Sequence, residues 1–210
     1  KWLDNTSSKG IRFRTGNVIC NKDQGSIQIP AETAEFGKRV LLLQYDTTFD
    51  DISLRLVDQF DFLVNSLRML KDLGYGPIKV KLHPGVSRVA YHKKIAAMMN
   101  LDCEIIQDGQ FTELVDWADV IIGPVVSGAM LEVLARGKPY LPVLLEPHSV
   151  NLDYFENGTI FNSVESLSEI LKNGGMPNQV GLLEDYSSFV EIPNPASRMW
   201  SQITAIATRQ

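Results

Sequence analysis

Short apolar runs alternate with helical segments along the centre of the chain, from residue 38 to about residue 172. The run Val40–Leu43 is apolar at every position, which is typical of a strand covered on both faces. In residues 52–73 the apolar side chains instead recur every three or four residues, and this segment ends at Gly74. Strands that alternate with amphipathic helices predict an α/β fold, a doubly wound parallel sheet with helices on both faces.

The same pattern extends over the rest of this region and predicts a Rossmann-like sheet of five or six strands. The predicted strands are residues 40–43, 78–82, 103–106, 119–122 and 139–145, with a weaker one at 159–161. The predicted helices are residues 52–73, 89–99, 111–118, a segment from Gly128 to Arg136, and 164–171. Gly123 to Gly128 is predicted to be the loop that opens the fourth helix.

Three segments follow from this pattern. Residues 1–37 are polar and irregular, and we interpret them as a linker or an edge extension. Residues 38–194 form the Rossmann-like domain, and residues 195–210 form a C-terminal helix with Pro195 in its first turn. The 210 residues, 44% of them hydrophobic, are enough for one domain with a substantial core.

Charge and cysteine content exclude several classes of protein. The formal net charge of -5 argues against a broad surface that binds nucleic acid. The two cysteines form no CxxC pair and fit no zinc site, so we expect free thiols in a reducing compartment and no metal. No apolar run reaches the roughly 18 to 20 residues that span a bilayer. The first residues lack a signal-peptide pattern, so we expect a cytoplasmic protein without a membrane span.

The second predicted strand ends in a His-Pro-Gly turn. Ligands of such sheets bind where loops leave the carboxyl ends of the strands, and this strand brings His83 to that edge. Pro84 fixes the backbone after it, and Lys81 shares the strand face of His83 by the period of two. An imidazole here can donate to a phosphate oxygen. The alternative is a histidine that only ends the strand.

The predicted loop after the fourth strand is rich in small residues. Gly123, Ser127 and Gly128 leave backbone amides open at a helix N-terminus, which favours an anion. Ser127 is a natural N-cap that can also bond a phosphate, and the carboxylate of Glu132 can hold ribose hydroxyls. The alternative is a simple cap with a solvated glutamate. His148 follows the fifth strand at the same edge, where it is either a ligand contact or an exposed loop histidine.

The order of these motifs resembles the C-terminal, nucleotide-sugar-binding half of GT-B glycosyltransferases. The resemblance rests on KLHP, DWADVIIGPVVSGAMLEVLARGKPYLPV and ENGTIFNSVESLSEIL, and it covers residues 38–172 together with the C-terminal helix. The pairing of Lys-x-His-Pro with Ser-x-x-x-x-Glu looks most like bacterial Kdo and sialic acid transferases, which use CMP-sugars, and CDP-glycerol glycerophosphotransferases. The latter usually show Asp-Tyr-Ser-Ser where this chain has Pro124-Val-Val-Ser127, which makes them the less favoured group.

The resemblance implies a donor-binding domain that moves a sugar to a growing lipopolysaccharide or capsule glycan. His83 would be the catalytic residue and would contact the donor phosphate. Lys81, Pro84, Gly123, Ser127, Gly128, Glu132 and His148 would complete the nucleotide-binding site. The nucleotide-sugar is the substrate, and no further cofactor is implied.

The implied partners are a glycan acceptor and either a missing N-terminal half or a partner chain. The implied location is the cytoplasm, including peripheral association with the inner face of the cytoplasmic membrane. The alternatives are a UDP-GlcNAc 2-epimerase-like isomerase half, a CDP-glycerol glycerophosphotransferase and a non-catalytic binding module.

Overall fold

Five parallel strands form the sheet of the protein in the computed structural model. The strands are β1 (Val40–Leu43), β2 (Ile78–Lys81), β3 (Glu104–Ile106), β4 (Val120–Pro124) and β5 (Tyr140–Val143). The helices are α1 (Leu56–Asp72), α2 (Val89–Met98), α3 (Phe111–Trp117), α4 (Gly128–Ala135) and α5 (Val164–Lys172). The predicted α/β, Rossmann-like parallel sheet is confirmed, with strand order β3-β2-β1-β4-β5.

The structure describes residues 37–44, 56–84, 89–125, 127–144, 158–175, 178–179 and 181–182. All of them belong to one compact unit, residues 27–185. The extension predicted at 1–37, apart from Gly37, and the C-terminal helix predicted at 195–210 lie outside the described residues, so the predicted segment boundaries stay a prediction. No helix within these ranges combines the length and the apolar character needed to cross a bilayer.

The two faces of the sheet are buried under different helices. Even-numbered residues of β1 belong to a cluster with α1 and α5, which pack against each other. This cluster includes Val40, Leu42, Val80, Ile122, Val143, Leu63, Leu67, Leu70, Leu167 and Leu171. On the other face α4 packs against β4 and β5 and buries Met130, Val133 and Leu134. Burial on both faces explains why β1 contains no polar side chain.

Helix ends and strand ends follow the sequence closely, with two corrections. Gly74 and Gly137 have φ of 72° and 64°, a left-handed conformation that favours glycine after a helix. The fourth strand, predicted to end at Ile122, continues to Pro124 because Gly123 and Pro124 pair with β5. The predicted loop is therefore shorter than residues 123–128. The weak sixth strand reduces to one parallel bridge between Val143 and Phe161.

The outer edge of β5 is hydrogen-bonded by one side chain and by one backbone segment. The amide of Gln179, 3% exposed, accepts from the backbone N–H of Tyr140 and donates to its carbonyl, both at 2.9 Å. Further along, Phe161 donates to the Pro142 carbonyl and accepts from the Leu144 N–H. Because Pro142 has no N–H, these bonds occupy the outward-facing backbone groups from the Tyr140 N–H to the Leu144 N–H.

The amino edge of the sheet is joined by an ion pair between residues far apart in sequence. The Arg39 guanidinium donates to both carboxylate oxygens of Asp119, at 3.1 and 2.6 Å, and the Arg39 backbone N–H adds a bond of 3.0 Å. The hydrogen bond from Arg39 is the main reason why the pKa of Asp119 lies below its usual value. This contact links the starts of β1 and β4, at the edge opposite the predicted site.

Candidate functional site

The strand order places a topological switch point between β1 and β4. From β1 the chain proceeds to β2 and β3 on one side, and then to β4 and β5 on the other. Loops diverge from the carboxyl ends of the two strands at such a point, and ligands of open parallel sheets bind in the crevice between them. His83 follows β2 on one side of β1, and Ser127 follows β4 on the other. The strands β2 and β4 are two strand spacings apart, about 10 Å across the sheet.

A brace of side chains supports the His-Pro turn. The Lys81 ammonium, in a residue that is 9% exposed, donates to the carbonyls of Leu82 and Gln107, each at 2.7 Å. The Gln107 amide in turn donates to the Pro84 carbonyl at 3.1 Å. These bonds tie the end of β2 and the turn to the end of β3.

His83 and Lys81 therefore stand in different environments. Burial lowers the pKa of Lys81, and the charge of Asp108 partly opposes this. We predicted Lys81 as a nucleotide-binding residue near His83; in the structure two backbone carbonyls accept hydrogen bonds from its ammonium. His83 and Pro84 are exposed at the carboxyl edge, where the sequence placed them. The binding role of each stays a prediction.

Ser127 caps α4 as the sequence predicts. Its backbone is extended, with φ of -153°, and its Oγ accepts from the Ala129 N–H at 3.1 Å. The turn before it offers fewer amides than we expected, because the Val125 N–H donates to the Val143 carbonyl at 3.1 Å. An anion at this helix start would therefore rely on the exposed Gly128 end of α4 and on the Ser127 hydroxyl.

Gly123 and Gly128, both predicted to belong to the site, differ in the space available for a side chain. A Cβ at Gly123 would lie 2.5 Å from the Tyr140 hydroxyl and 2.9 Å from the Leu43 Cβ. That hydroxyl donates to the Pro124 carbonyl at 2.8 Å, so Gly123 makes room for a bond between neighbouring strands. A Cβ at Gly128 would have no neighbour within 4 Å. Gly123 thus has a clear packing role, whereas Gly128 lies open at the candidate site.

Glu132 lies further along α4, and its carboxylate is directed toward Arg136. Its Oε1 is 3.8 Å from the Arg136 Nε, and its side chain is 27% exposed. Arg136 also pairs with Asp116 on α3 at 3.1 Å. The structure thus places Glu132 in an ion-pair cluster beside α3 rather than next to Ser127, and its contact with ribose stays a prediction.

Gln44 is a polar residue of this edge that sequence reasoning missed. It directly follows β1, and its backbone N–H donates to the Lys81 carbonyl at 3.0 Å. The residue is 5% exposed, and neither side-chain amide atom has a hydrogen-bond partner among the residues that the structure describes. The available signal was its position, since it is the first polar residue after a fully apolar central strand.

Other residues with ligand chemistry give no additional site. In the part of the chain that the structure describes, no group of three or more His, Cys, Asp or Glu side chains could hold a metal ion. His148 lies outside the described residues. His92 is buried in α2 and packs against Phe60 with ring centroids 4.8 Å apart.

Comparison with solved structures gives the fold. SnogD, a glycosyltransferase from Streptomyces nogalater, matches with TM-score 0.50 and 16% identity over 89% of this chain and 48% of its own. The wall teichoic acid polymerase TagF, soaked with CDPG, matches with TM-score 0.49 and 13% identity over 83% and 41%. A protein assigned as a UDP-N-acetylglucosamine 2-epimerase from Listeria monocytogenes matches with TM-score 0.41 and 12% identity over 75% and 40%.

The chain spans less than half the length of each of these proteins. No family model matches the sequence, and no curated protein matches it. The similarity to SnogD, together with the five-stranded parallel sheet and its switch point, gives the fold class. The chain therefore has a Rossmann-like α/β fold that is similar to the matched part of the glycosyltransferase SnogD.

Proposed function

We propose that this chain is the donor-binding domain of a glycosyltransferase. It would bind a nucleotide-sugar, with a CMP-sugar favoured, and transfer the sugar to a growing lipopolysaccharide or capsule glycan. The observation that carries this proposal is the placement of exposed His83 and the Ser127 helix start on the two sides of β1. The phosphate of a nucleotide-sugar donor fits a site that has an imidazole on one side and a helix N-terminus on the other.

Catalysis in this proposal is mainly electrostatic. As the glycosidic bond to the donor breaks, negative charge grows on the departing phosphate. A proton donor at His83 and the positive end of the α4 dipole would stabilise that charge. The brace from Lys81 and Gln107 would hold the His83 turn in place, so Lys81 is a positioning residue in this scheme. The acceptor-binding site and the general base would be supplied by another domain or chain.

A nucleotide titration tests the proposal. CMP, CDP, UDP and GDP would be titrated by calorimetry into the wild type, His83→Ala and Lys94→Ala. Lys94 is an exposed basic residue on α2, so its variant is a control for loss of one surface cation. We expect CMP to bind best and to lose about tenfold in affinity in His83→Ala, equivalent to one charge-assisted hydrogen bond.

Each other outcome has a defined meaning. Selectivity for UDP would move the donor class to UDP-sugars and favour the isomerase alternative, which product analysis with UDP-GlcNAc would then test. Equal losses in His83→Ala and Lys94→Ala would contradict a specific role for His83. A folded protein that binds none of the four nucleotides would refute the donor-binding proposal and favour a non-catalytic binding module.

A further inference from the structure

The Gln44 amide, at the central strand of the sheet, is buried and has no hydrogen-bond partner in the described part of the chain. It lies at the carboxyl end of β1, next to the switch point, and is 5% exposed. An amide that is buried without a hydrogen-bond partner destabilises the folded protein. Buried polar groups are nearly always satisfied in folded proteins, so an exception at a ligand-binding edge indicates a function for that group.

The polar groups described at the ends of the neighbouring strands make hydrogen bonds to partners other than the Gln44 amide. On the β2 side the Lys81 ammonium is held by two carbonyls. On the β4 side the Pro124 carbonyl accepts from the Tyr140 hydroxyl, and the Val125 N–H donates to the Val143 carbonyl. Among the described polar groups at the ends of β1, β2 and β4, the Gln44 amide thus stands out as unsatisfied.

The chemistry of an amide limits what can satisfy it. The amide presents two N–H donors and a carbonyl oxygen with two acceptor sites. An ionised phosphate only accepts hydrogen bonds, so it would leave the Gln44 carbonyl unsatisfied. A hydroxyl group both donates and accepts, so adjacent sugar hydroxyls satisfy both ends of the amide.

We propose that Gln44 binds hydroxyl groups of the nucleotide-sugar, on the ribose or on the transferred sugar. This proposal rests on the proposed function and adds a specificity-determining residue to the same site. If the amide leaves its buried position to bind the ligand, it sacrifices no hydrogen bond. The ligand thus exchanges an unsatisfied amide for a satisfied one.

Gln44→Met tests this, because it keeps the length of the side chain and removes the amide. Gln179→Met is the matched control, since Gln179 is equally buried but its amide makes two hydrogen bonds. Without ligand we expect the Tm of Gln44→Met to rise by about 2–4 °C, since the variant no longer buries an unsatisfied amide. The Tm of Gln179→Met should fall. A lower Tm in Gln44→Met as well would overturn the inference.

Binding to the full chain identifies the hydroxyls. The probes are CMP, 2′,3′-dideoxy-CMP and CMP-N-acetylneuraminate, titrated into the wild type, Gln44→Met and His83→Ala. If the amide binds ribose, Gln44→Met loses about tenfold in affinity for CMP and none for the dideoxy form. If it binds the transferred sugar, only the affinity for CMP-N-acetylneuraminate falls.

The remaining results separate this inference from the proposed function. Equal losses for all three probes would place the amide on the base or the phosphate and overturn the assignment to hydroxyls. Unchanged binding in Gln44→Met, with weaker binding in His83→Ala, would refute the role of Gln44 alone. If the wild type binds none of the probes or of the other nucleotides tested above, both proposals fail.

Discussion

Replacement of Gly123 by alanine should destabilise the protein, whereas the same change at Gly128 should not. A methyl group at Gly123 would lie 2.9 Å from the Leu43 Cβ, which cannot move without its backbone, and 2.5 Å from the Tyr140 hydroxyl. Overpacking of this kind costs about 1–3 kcal/mol. Displacing the Tyr140 hydroxyl from the Pro124 carbonyl adds about 0.5–1.5 kcal/mol.

A smaller effect opposes these costs. Alanine lowers the conformational entropy of the unfolded chain, which stabilises the folded protein by about 0.4–1 kcal/mol. We therefore expect Gly123→Ala to lower the free energy of unfolding by about 1–4 kcal/mol. At Gly128 the methyl group enters open space at the first turn of α4. That variant should be neutral or up to about 1 kcal/mol more stable than the wild type.

Urea unfolding at 25 °C, followed by far-ultraviolet circular dichroism, measures both values. Adding Tyr140→Phe to Gly123→Ala removes the nearest clashing atom, so the cost of the alanine should fall in that background. The contact with Leu43 stays, so the rescue is partial. Equal stability of Gly123→Ala and Gly128→Ala would refute the steric argument. A full cost in the Tyr140→Phe background would show that the hydroxyl is not the obstacle.

Three further predictions concern charged and thiol groups. Asp119→Asn should lower the free energy of unfolding at pH 7, because the Arg39 hydrogen bond holds the pKa of the carboxyl below its usual value. In acid-unfolding curves this difference should begin to shrink near pH 4, about the usual pKa of an aspartate, and should vanish once the pH falls below the lowered pKa. Burial and the adjacent Asp102 raise the pKa of the Cys103 thiol to about 11. In a Cys20→Ser background this thiol should therefore react slowly with iodoacetamide at pH 8 in the folded protein and rapidly in urea. Equal reaction rates in the two conditions would contradict its burial. Lys81→Met should lower stability by about 1–3 kcal/mol because it strands two backbone carbonyls, whereas a purely ligand-binding lysine would leave urea unfolding unchanged.

Local patterns predicted the elements, because each depends on neighbours in the chain. The apolar run of β1, the glycines after α1 and α4, and the Ser127 cap are all short-range signals. Contacts between distant residues left no such signal. The pairing of Arg39 with Asp119 joins positions that are 80 residues apart.

The candidate site was predicted only in part for the same reason. The periodicity of β2 placed Lys81 on the face of His83, but it could not show that Leu82 and Gln107 would hold the ammonium. The residue type of Gln44 does not show whether its amide is buried or exposed to solvent. Its importance depends on the burial and the engaged neighbours that the fold creates.

The closed edge of β5 restricts how this domain can join another protein. An unprotected edge strand is a template on which a second chain can continue the sheet. The Gln179 side chain makes the two hydrogen bonds to Tyr140 that a neighbouring strand would make. The Phe161 backbone bonds the Pro142 carbonyl and the Leu144 N–H. At the opposite edge β3 has three residues and carries the exposed charge of Glu104. Sheet continuation is thus blocked along β5 and disfavoured along β3, so a partner that supplies the acceptor side would have to dock on helices or on the loops at the carboxyl edge.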